Sequence, residues 1–201
     1  MRFILPLVGF AAFVGTLSPA TAPAGGDEVI VIYNTRMPES KSVAEHYAER
    51  RQVPKGQVLG FELGTGYEMS RAEFRDGLQK PLFKKLQSLK LWRSGPGEIQ
   101  GTNGKPVRVL GKVLESKIRY AVLCYGVPLQ ILPDASLREA AEETMRAEFR
   151  RNEACVDSEL AWLPRLQENL PLAGPLPNPF YTATNEWSLH PTNGQIGRAH
   201  V

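Results

Sequence analysis

The first part of the chain alternates between apolar runs and amphipathic stretches. Residues 28–33, Glu-Val-Ile-Val-Ile-Tyr, form a continuous apolar run that predicts a strand buried on both faces. A capping box, Ser42-Val-Ala-Glu45, predicts the start of a helix that has two arginines in its last turn and ends before Pro54. Residues 57–63 predict a second strand. The region therefore indicates a right-handed strand-helix-strand unit.

A second amphipathic helix is predicted from another capping box, Ser70-Arg-Ala-Glu73. Its apolar stripe consists of Phe74, Leu78, Leu82, Leu86 and Leu89. Because Pro81 removes a backbone donor inside this stripe, we expect a kink or two consecutive helices. Residues 94–111 are rich in Gly and Pro, which predicts a loop that includes a small hairpin at Asn103-Gly104.

The strongest core strand is predicted at residues 118–124, Ile-Arg-Tyr-Ala-Val-Leu-Cys. A third capping box, Ser136-Leu-Arg-Glu139, predicts an amphipathic helix whose apolar positions are Leu137, Ala141, Met145 and Phe149. Residues from Leu163 onward are rich in Pro and Asn, and we expect them to lie over the surface.

Buried strands that alternate with helices predict an α/β fold: a mostly parallel sheet with helices on both faces, incomplete at the carboxyl terminus. In such sheets ligands usually bind at the carboxyl ends of the strands. Three segments follow predicted strands here: residues 33–35, 64–66 and 125–128. They are the first places to look for a site.

Both ends of the chain differ from the middle. Arg2 precedes an apolar run from Phe3 to Leu17, which is followed by small residues typical of a cleavage site. This pattern predicts a signal peptide over residues 1–24, and an uncleaved anchor is the alternative. The last six residues, 196–201, match the translation of one reading frame of a widely used sequencing adapter. We therefore expect a sequencing-adapter artefact there, and a single, truncated α/β domain over residues 25–195.

Charge narrows the choice of partners. Without the two end segments the chain carries 22 basic and 21 acidic residues, because Arg2 and Arg198 are removed. This balance argues against nucleic acid as a partner. After cleavage of the signal peptide we expect no stable membrane span, and an exported location that is periplasmic, cell-surface or extracellular.

Several catalytic chemistries lack their motif in this sequence. It has no Gly-rich turn after the first strand, no P-loop, no Gly-x-Ser-x-Gly elbow and no His-Glu-x-x-His helix, so we expect no cofactor and no metal. Four residues stay as binding candidates: Asn34 and Tyr125 at strand ends, and Asp157 and Glu159 in a polar cluster. The two carboxylates could also simply begin a helix, with Asp157 or Ser158 as the cap.

Two cysteines, Cys124 and Cys155, are present in the exported part. An oxidising compartment permits a disulfide between them, but two is also a number expected of incidental thiols. A catalytic role for Cys124 would need a nearby base, and no histidine is placed by the sequence to serve as one. The sequence therefore does not decide whether Cys124 and Cys155 form a disulfide.

Several blocks of the chain, in order, resemble an uncharacterised family of exported bacterial proteins. They are Tyr33-Asn34, residues 44–54, 70–74, 81–82, 118–123 and 126–129, the Val-Asp-Ser-Glu-Leu run at 156–160, and Asn178-Pro179. The resemblance implies export and an α/β fold but no activity. A more distant likeness is to the caspase-like fold of gingipain-type cysteine peptidases, whose His and Cys dyad comes from later strands and is transferred to no residue here.

The sequence supports two functional hypotheses. The first is an exported α/β domain of unassigned function that acts in recognition or in the cell envelope. The second is the amino-terminal part of a caspase-like, gingipain-type hydrolase whose catalytic region is missing. The second rests on fold likeness alone.

Overall fold

A computed structural model describes residues 25–100, 105–168 and 170–174 and has an α/β fold. Its strands are β1 (Val29–Asn34), β2 (Val58–Phe61), β3 (Glu68–Met69), β4 (Trp92–Gln100), β5 (Pro106–Ser116), β6 (Tyr120–Leu123), β7 (Gln130–Ile131) and β8 (Ala154–Cys155). β1 lies between β2 and β6 in a parallel sheet. The two strongest predicted strands therefore share one sheet.

Strand β1 is buried on both faces because its side chains alternate between two cores. Ile30 and Ile32 belong to the larger core, which also contains the apolar stripe that begins at Phe74. Val29 and Val31 belong to the smaller core. The run of apolar residues that predicted a doubly buried strand is explained by this division.

Helix α1 (Pro38–Arg51) begins four residues before the predicted capping box, so the prediction of a start at Ser42 was wrong. Pro38 occupies the first turn, where its fixed φ suits a helix and its missing N–H is not needed. The Ser42 hydroxyl donates instead to the carbonyl of Pro38, 3.2 Å away. Gln52, in the left-handed conformation, ends the helix.

The second predicted helix is confirmed, including its capping box. The Ser70 side chain accepts from the backbone N–H of Glu73, and the Glu73 carboxylate accepts from Ser70. Two α-helical segments, α2 (Arg71–Glu73) and α3 (Lys80–Ser88), are joined by a π-helical stretch over Phe74–Gln79. Pro81 is the second residue of α3, just after this stretch, so the expected pair of consecutive helices has a wide π turn at its junction.

Residues 94–100 and 106–111 belong to two paired strands, where the sequence predicted a loop. β4 and β5 pair in antiparallel fashion from Trp92 opposite Ser116 to Gln100 opposite Pro106, with irregularities near Ser94 and Gly95. The predicted turn at Asn103-Gly104 falls outside the described residues. Glycine and proline mark bulges within the strands here, which is why the loop prediction was wrong.

The helix predicted from Ser136 is absent, and three 3-10 turns, Ala135–Leu137, Ala140–Thr144 and Ala147–Phe149, replace it. The cause is a pair of hydrogen bonds between Asp134 and Asn152. The Asn152 side chain accepts from the Asp134 N–H at 2.9 Å and donates to the Asp134 carbonyl at 2.8 Å. A straight helix of about 16 residues would separate Asp134 from Asn152 by roughly 24 Å, so the segment between these two bonded residues must fold back on itself.

The last described segment is buried in part rather than laid over the surface. Leu163 is fully buried in the larger core and begins a 3-10 helix, Leu163–Glu168, so the surface prediction was wrong there. The segments predicted as signal peptide and adapter artefact lie outside the described residues, as do all residues after Gly174. Within the described ranges, no helix has the length and apolar character needed to cross a membrane.

Candidate functional site

The side chain of Asn34 ties together the three strand ends that the sequence singled out. Its amide nitrogen donates to the carbonyls of Gly64 and Gly126, each at 2.8 Å. Its carbonyl oxygen accepts from the backbone N–H groups of Arg36 and Leu63, at 3.1 and 3.2 Å. Asn34 is fully buried, so this predicted site residue holds the loops and is not open to a ligand.

Tyr125 lies beside this junction and projects outward, with 65% of its surface exposed. The next residue, Gly126, has a φ of +88°, a conformation that favours glycine. The turn therefore fixes the backbone and leaves the tyrosine at the surface. The structure brings Asn34 and Tyr125 to the same edge of the sheet, but only Tyr125 is accessible there.

Cys124 and Cys155 are both free, so the disulfide that the sequence left open is not formed. Cys124 is buried and Cys155 is exposed. Burial raises the pKa of the Cys124 thiol to about 11. A thiol with this pKa is almost entirely protonated near neutral pH, so Cys124 is a poor nucleophile.

Asp157 and Glu159 lie in the short helix α4 (Val156–Ala161), and they have different surroundings. Cys155 is the N-cap residue, so neither Asp157 nor Ser158 caps the helix as the sequence suggested. Asp157 accepts from the neighbouring Ser158 N–H at 2.8 Å. Glu159 forms an ion pair with Arg71, 3.2 Å away, and it lines a cleft.

Arg71 is the residue that sequence reasoning missed. It is only 6% exposed, which is rare for arginine. Its Nη1 donates to Glu159 and its Nη2 to the carbonyl of Asn152, at 2.5 Å. Its Nε is buried and has no hydrogen-bond partner among the residues that the structure describes. A buried donor without an acceptor is uncommon, since it costs about 1–3 kcal/mol.

Arg71 lies in the wall of a cleft of about 240 Å³. We call it the arginine cleft. The residues that line it are Arg71, Phe74, Arg75, Gln79, Leu137, Glu159, Trp162, Arg165, Leu166, Leu170 and Leu172. Six of them are large apolar side chains, and three are arginines. This combination of an apolar lining with a few charged groups is typical of small-molecule sites.

Two of the cleft arginines have defined partners that fix their position. Arg75 forms an ion pair with Asp76 at 2.7 Å, and this interaction, together with Lys80, holds the pKa of Asp76 far below its usual range. The guanidinium of Arg165 lies 5.0 Å from the ring centre of Trp162, in cation–π geometry. The cleft therefore has positive groups beside an aromatic surface, and these groups already have partners within the chain.

No family model, curated protein or solved structure matches the chain. The resemblance to an exported bacterial family and to the caspase-like fold thus stays a prediction. Among the residues that the structure describes, no cluster of three or more His, Cys, Asp or Glu side chains could hold a metal ion.

Proposed function

We propose that this chain is an exported α/β domain with a recognition role and that it binds its ligand in the arginine cleft. The observation that carries the proposal is Arg71, a buried guanidinium that lies in the wall of a largely apolar cleft. A few charged groups among apolar side chains are a common feature of sites that bind small molecules. The amino-terminal signal pattern supports export.

The chemistry of the cleft favours binding over catalysis. Guanidinium groups hold anions but do not exchange protons near neutral pH, because they stay charged. The carboxylate of Glu159 is already paired with Arg71. The groups that meet in the cleft are therefore suited to hold a ligand in place.

The fold that we propose around this site is a parallel sheet with helices on both faces. Two observations support it. The smaller core joins Val29 and Val31 to Ala44 and Ala48 of α1, and the larger core joins β1 to the helical segments between Arg71 and Ser88. Residues on alternate sides of β1 thus pack against different helices.

A blocking substitution tests the recognition role. Leu137 is partly exposed and lines the cleft, so Leu137→Trp should fill the cleft without disturbing the core. Leu129→Trp is the matched control, because Leu129 is 50% exposed and does not line the cleft. We expect a thermal-shift screen of small organic compounds to yield ligands that stabilise the unaltered chain and the control but not Leu137→Trp. If every stabilising compound acts equally on all three proteins, the proposal is wrong.

A second candidate is the amino-terminal part of a caspase-like, gingipain-type hydrolase whose catalytic region is missing. The observation that favours it is the order of the parallel strands, with β1 between β2 and β6. Sequencing of the gene from an independent source of DNA tests it. A downstream strand that ends in His-Gly and a later strand that ends in Cys would support the hydrolase, and their absence would remove it.

A further inference from the structure

We infer that the ligand of the arginine cleft is a neutral molecule with one apolar ring or branched group and one hydrogen-bonding group such as an amide. This inference rests on the proposed recognition role and names the class of ligand that the same site selects. Three features of the cleft carry it. Its charged side chains already have partners, two neutral polar side chains in its wall have none within the described ranges, and the rest of its lining is apolar.

The most buried charge of the cleft is satisfied from within the chain. Arg71 donates to the carboxylate of Glu159 and to the carbonyl of Asn152. An ionised ligand would have to displace one of these partners to reach the guanidinium or the carboxylate. Loss of one partner from a buried ion pair leaves the other charge uncompensated, which is strongly unfavourable. Arg71 and Glu159 therefore select neither an anion nor a cation, and they form a fixed part of the wall.

The other two arginines of the cleft are exposed, and they also have partners. Arg75 donates two hydrogen bonds to the carboxylate of Asp76, and the guanidinium of Arg165 lies over the ring of Trp162. Ion pairs at exposed positions contribute little, because water and salt screen them. An ionised ligand would thus give up part of its hydration on entering the cleft and gain little in return. A neutral ligand does not meet this penalty.

Two neutral polar groups in the wall are available to a ligand. Gln79 and Trp162 line the cleft and are partly exposed. Within the described ranges, neither the side-chain amide of Gln79 nor the indole N–H of Trp162 has a hydrogen-bond partner, and neither is shut off from solvent. The amide offers donors and an acceptor, and the indole offers a donor. A carbonyl on the ligand can accept from either residue, and a ligand N–H can donate to the Gln79 oxygen.

The remaining lining and the volume define the apolar part of the ligand. Phe74 is 1% exposed and belongs to the larger core, so this part of the wall is anchored. Leu137 and three leucines between 166 and 172 add apolar surface, against which burial of an apolar group is favourable. An apolar cavity of about 150 Å³ is large enough for a benzene ring. The cleft, at about 240 Å³, therefore has room for one ring and a short polar substituent.

Three probes of nearly the same shape test the inference on the full chain by calorimetry. They are 3-phenylpropionamide, which is neutral, 3-phenylpropionate, which is an anion, and 3-phenylpropylammonium, which is a cation. We expect the amide to bind about tenfold or more tightly than either ion, because an ion loses hydration while the charged groups of the wall keep their own partners. Binding of the amide should be lost in Leu137→Trp, which fills the cleft.

The outcomes separate this inference from the recognition role. If either ion binds as tightly as the amide or more tightly, and this binding is lost in Leu137→Trp, the ligand is not neutral but the cleft is still a recognition site. If none of the three probes binds, the inferred class of ligand is wrong. If the amide binds Leu137→Trp as well as it binds the unaltered chain, its site lies outside the cleft, and both the inference and the recognition role fail.

Two variants of the neutral polar groups give an independent test. Gln79→Leu removes the amide but keeps a side chain of similar size, and Trp162→Phe removes the indole N–H but keeps an aromatic wall. Affinity for 3-phenylpropionamide should fall severalfold in each, because a hydrogen bond is lost. Gln167→Leu is the matched control, since Gln167 is exposed and does not line the cleft, and its affinity should not change. Unchanged affinity in both cleft variants, with circular dichroism spectra like that of the unaltered chain, would refute the inference.

Discussion

Replacement of Asn34 by alanine should be among the most destabilising single changes in the described part of the chain. The substitution removes four hydrogen bonds from a fully buried side chain and leaves two carbonyls and two N–H groups without partners. A net contribution of about 1 kcal/mol for each bond, with a penalty for groups left buried, gives a loss of about 3–5 kcal/mol. The backbone N–H of Asn34 keeps its bond to the Ser40 hydroxyl, so the strand itself should persist.

The assay is urea unfolding followed by circular dichroism. If the denaturant slope is about 2 kcal/mol per M, the expected loss shifts the midpoint by about 2 M. Ser42→Ala is the control, because it removes one exposed hydrogen bond that water can replace, and it should change stability by less than about 0.5 kcal/mol.

Hydrogen exchange locates the effect of Asn34→Ala. The amides of Arg36 and Leu63 should lose protection, since both donate to Asn34. A variant within about 1 kcal/mol of the unaltered chain, with unchanged exchange at Leu63, would refute the role given to Asn34.

Three further predictions concern other parts of the chain. At pH 8 the exposed Cys155 should react with iodoacetamide much faster than Cys124, whose rate should keep rising as the pH approaches about 11; equal rates would contradict the burial of Cys124. Gly126→Ala should lower the free energy of unfolding by about 1–3 kcal/mol, because φ is +88° and the added Cβ would lie 2.6 Å from the Met37 sulfur. An unchanged midpoint of thermal unfolding would show that the turn relaxes to accept the Cβ. Phe149→Ala should lower the free energy of unfolding by less than about 1 kcal/mol in urea, since Phe149 is 45% exposed. A loss of about 3 kcal/mol or more would instead indicate that Phe149 is buried, as the predicted amphipathic helix requires.

The sequence predicted the pairing of β1 and β6 in one sheet well, because both lie in short apolar runs of strand length, and the run of β1 is rich in β-branched residues. Helix starts were less reliable. The capping box at Ser70 is formed, but the same signature at Ser42 and Ser136 is not. At Ser42 a better start precedes it, at Pro38. At Ser136 the competing feature is the contact between Asp134 and Asn152, which no local pattern reveals.

The candidate site, like the helix starts, depends on contacts between distant residues that the sequence does not show. The rule that ligands bind at the carboxyl ends of parallel strands led to Asn34, and the structure does place Asn34 at the end of β1, between β2 and β6. Yet both N–H groups of its amide are used to join Gly64 to Gly126, so a ligand in this crevice would have to break bonds that hold the loops. Sequence reasoning missed Arg71 because it directly follows the N-cap residue Ser70, where an arginine is expected to be exposed to solvent. Its burial comes from Asn152 and Glu159, more than 80 residues away in the sequence. Only their approach in the folded chain places Arg71 and Glu159 together in the wall of the arginine cleft.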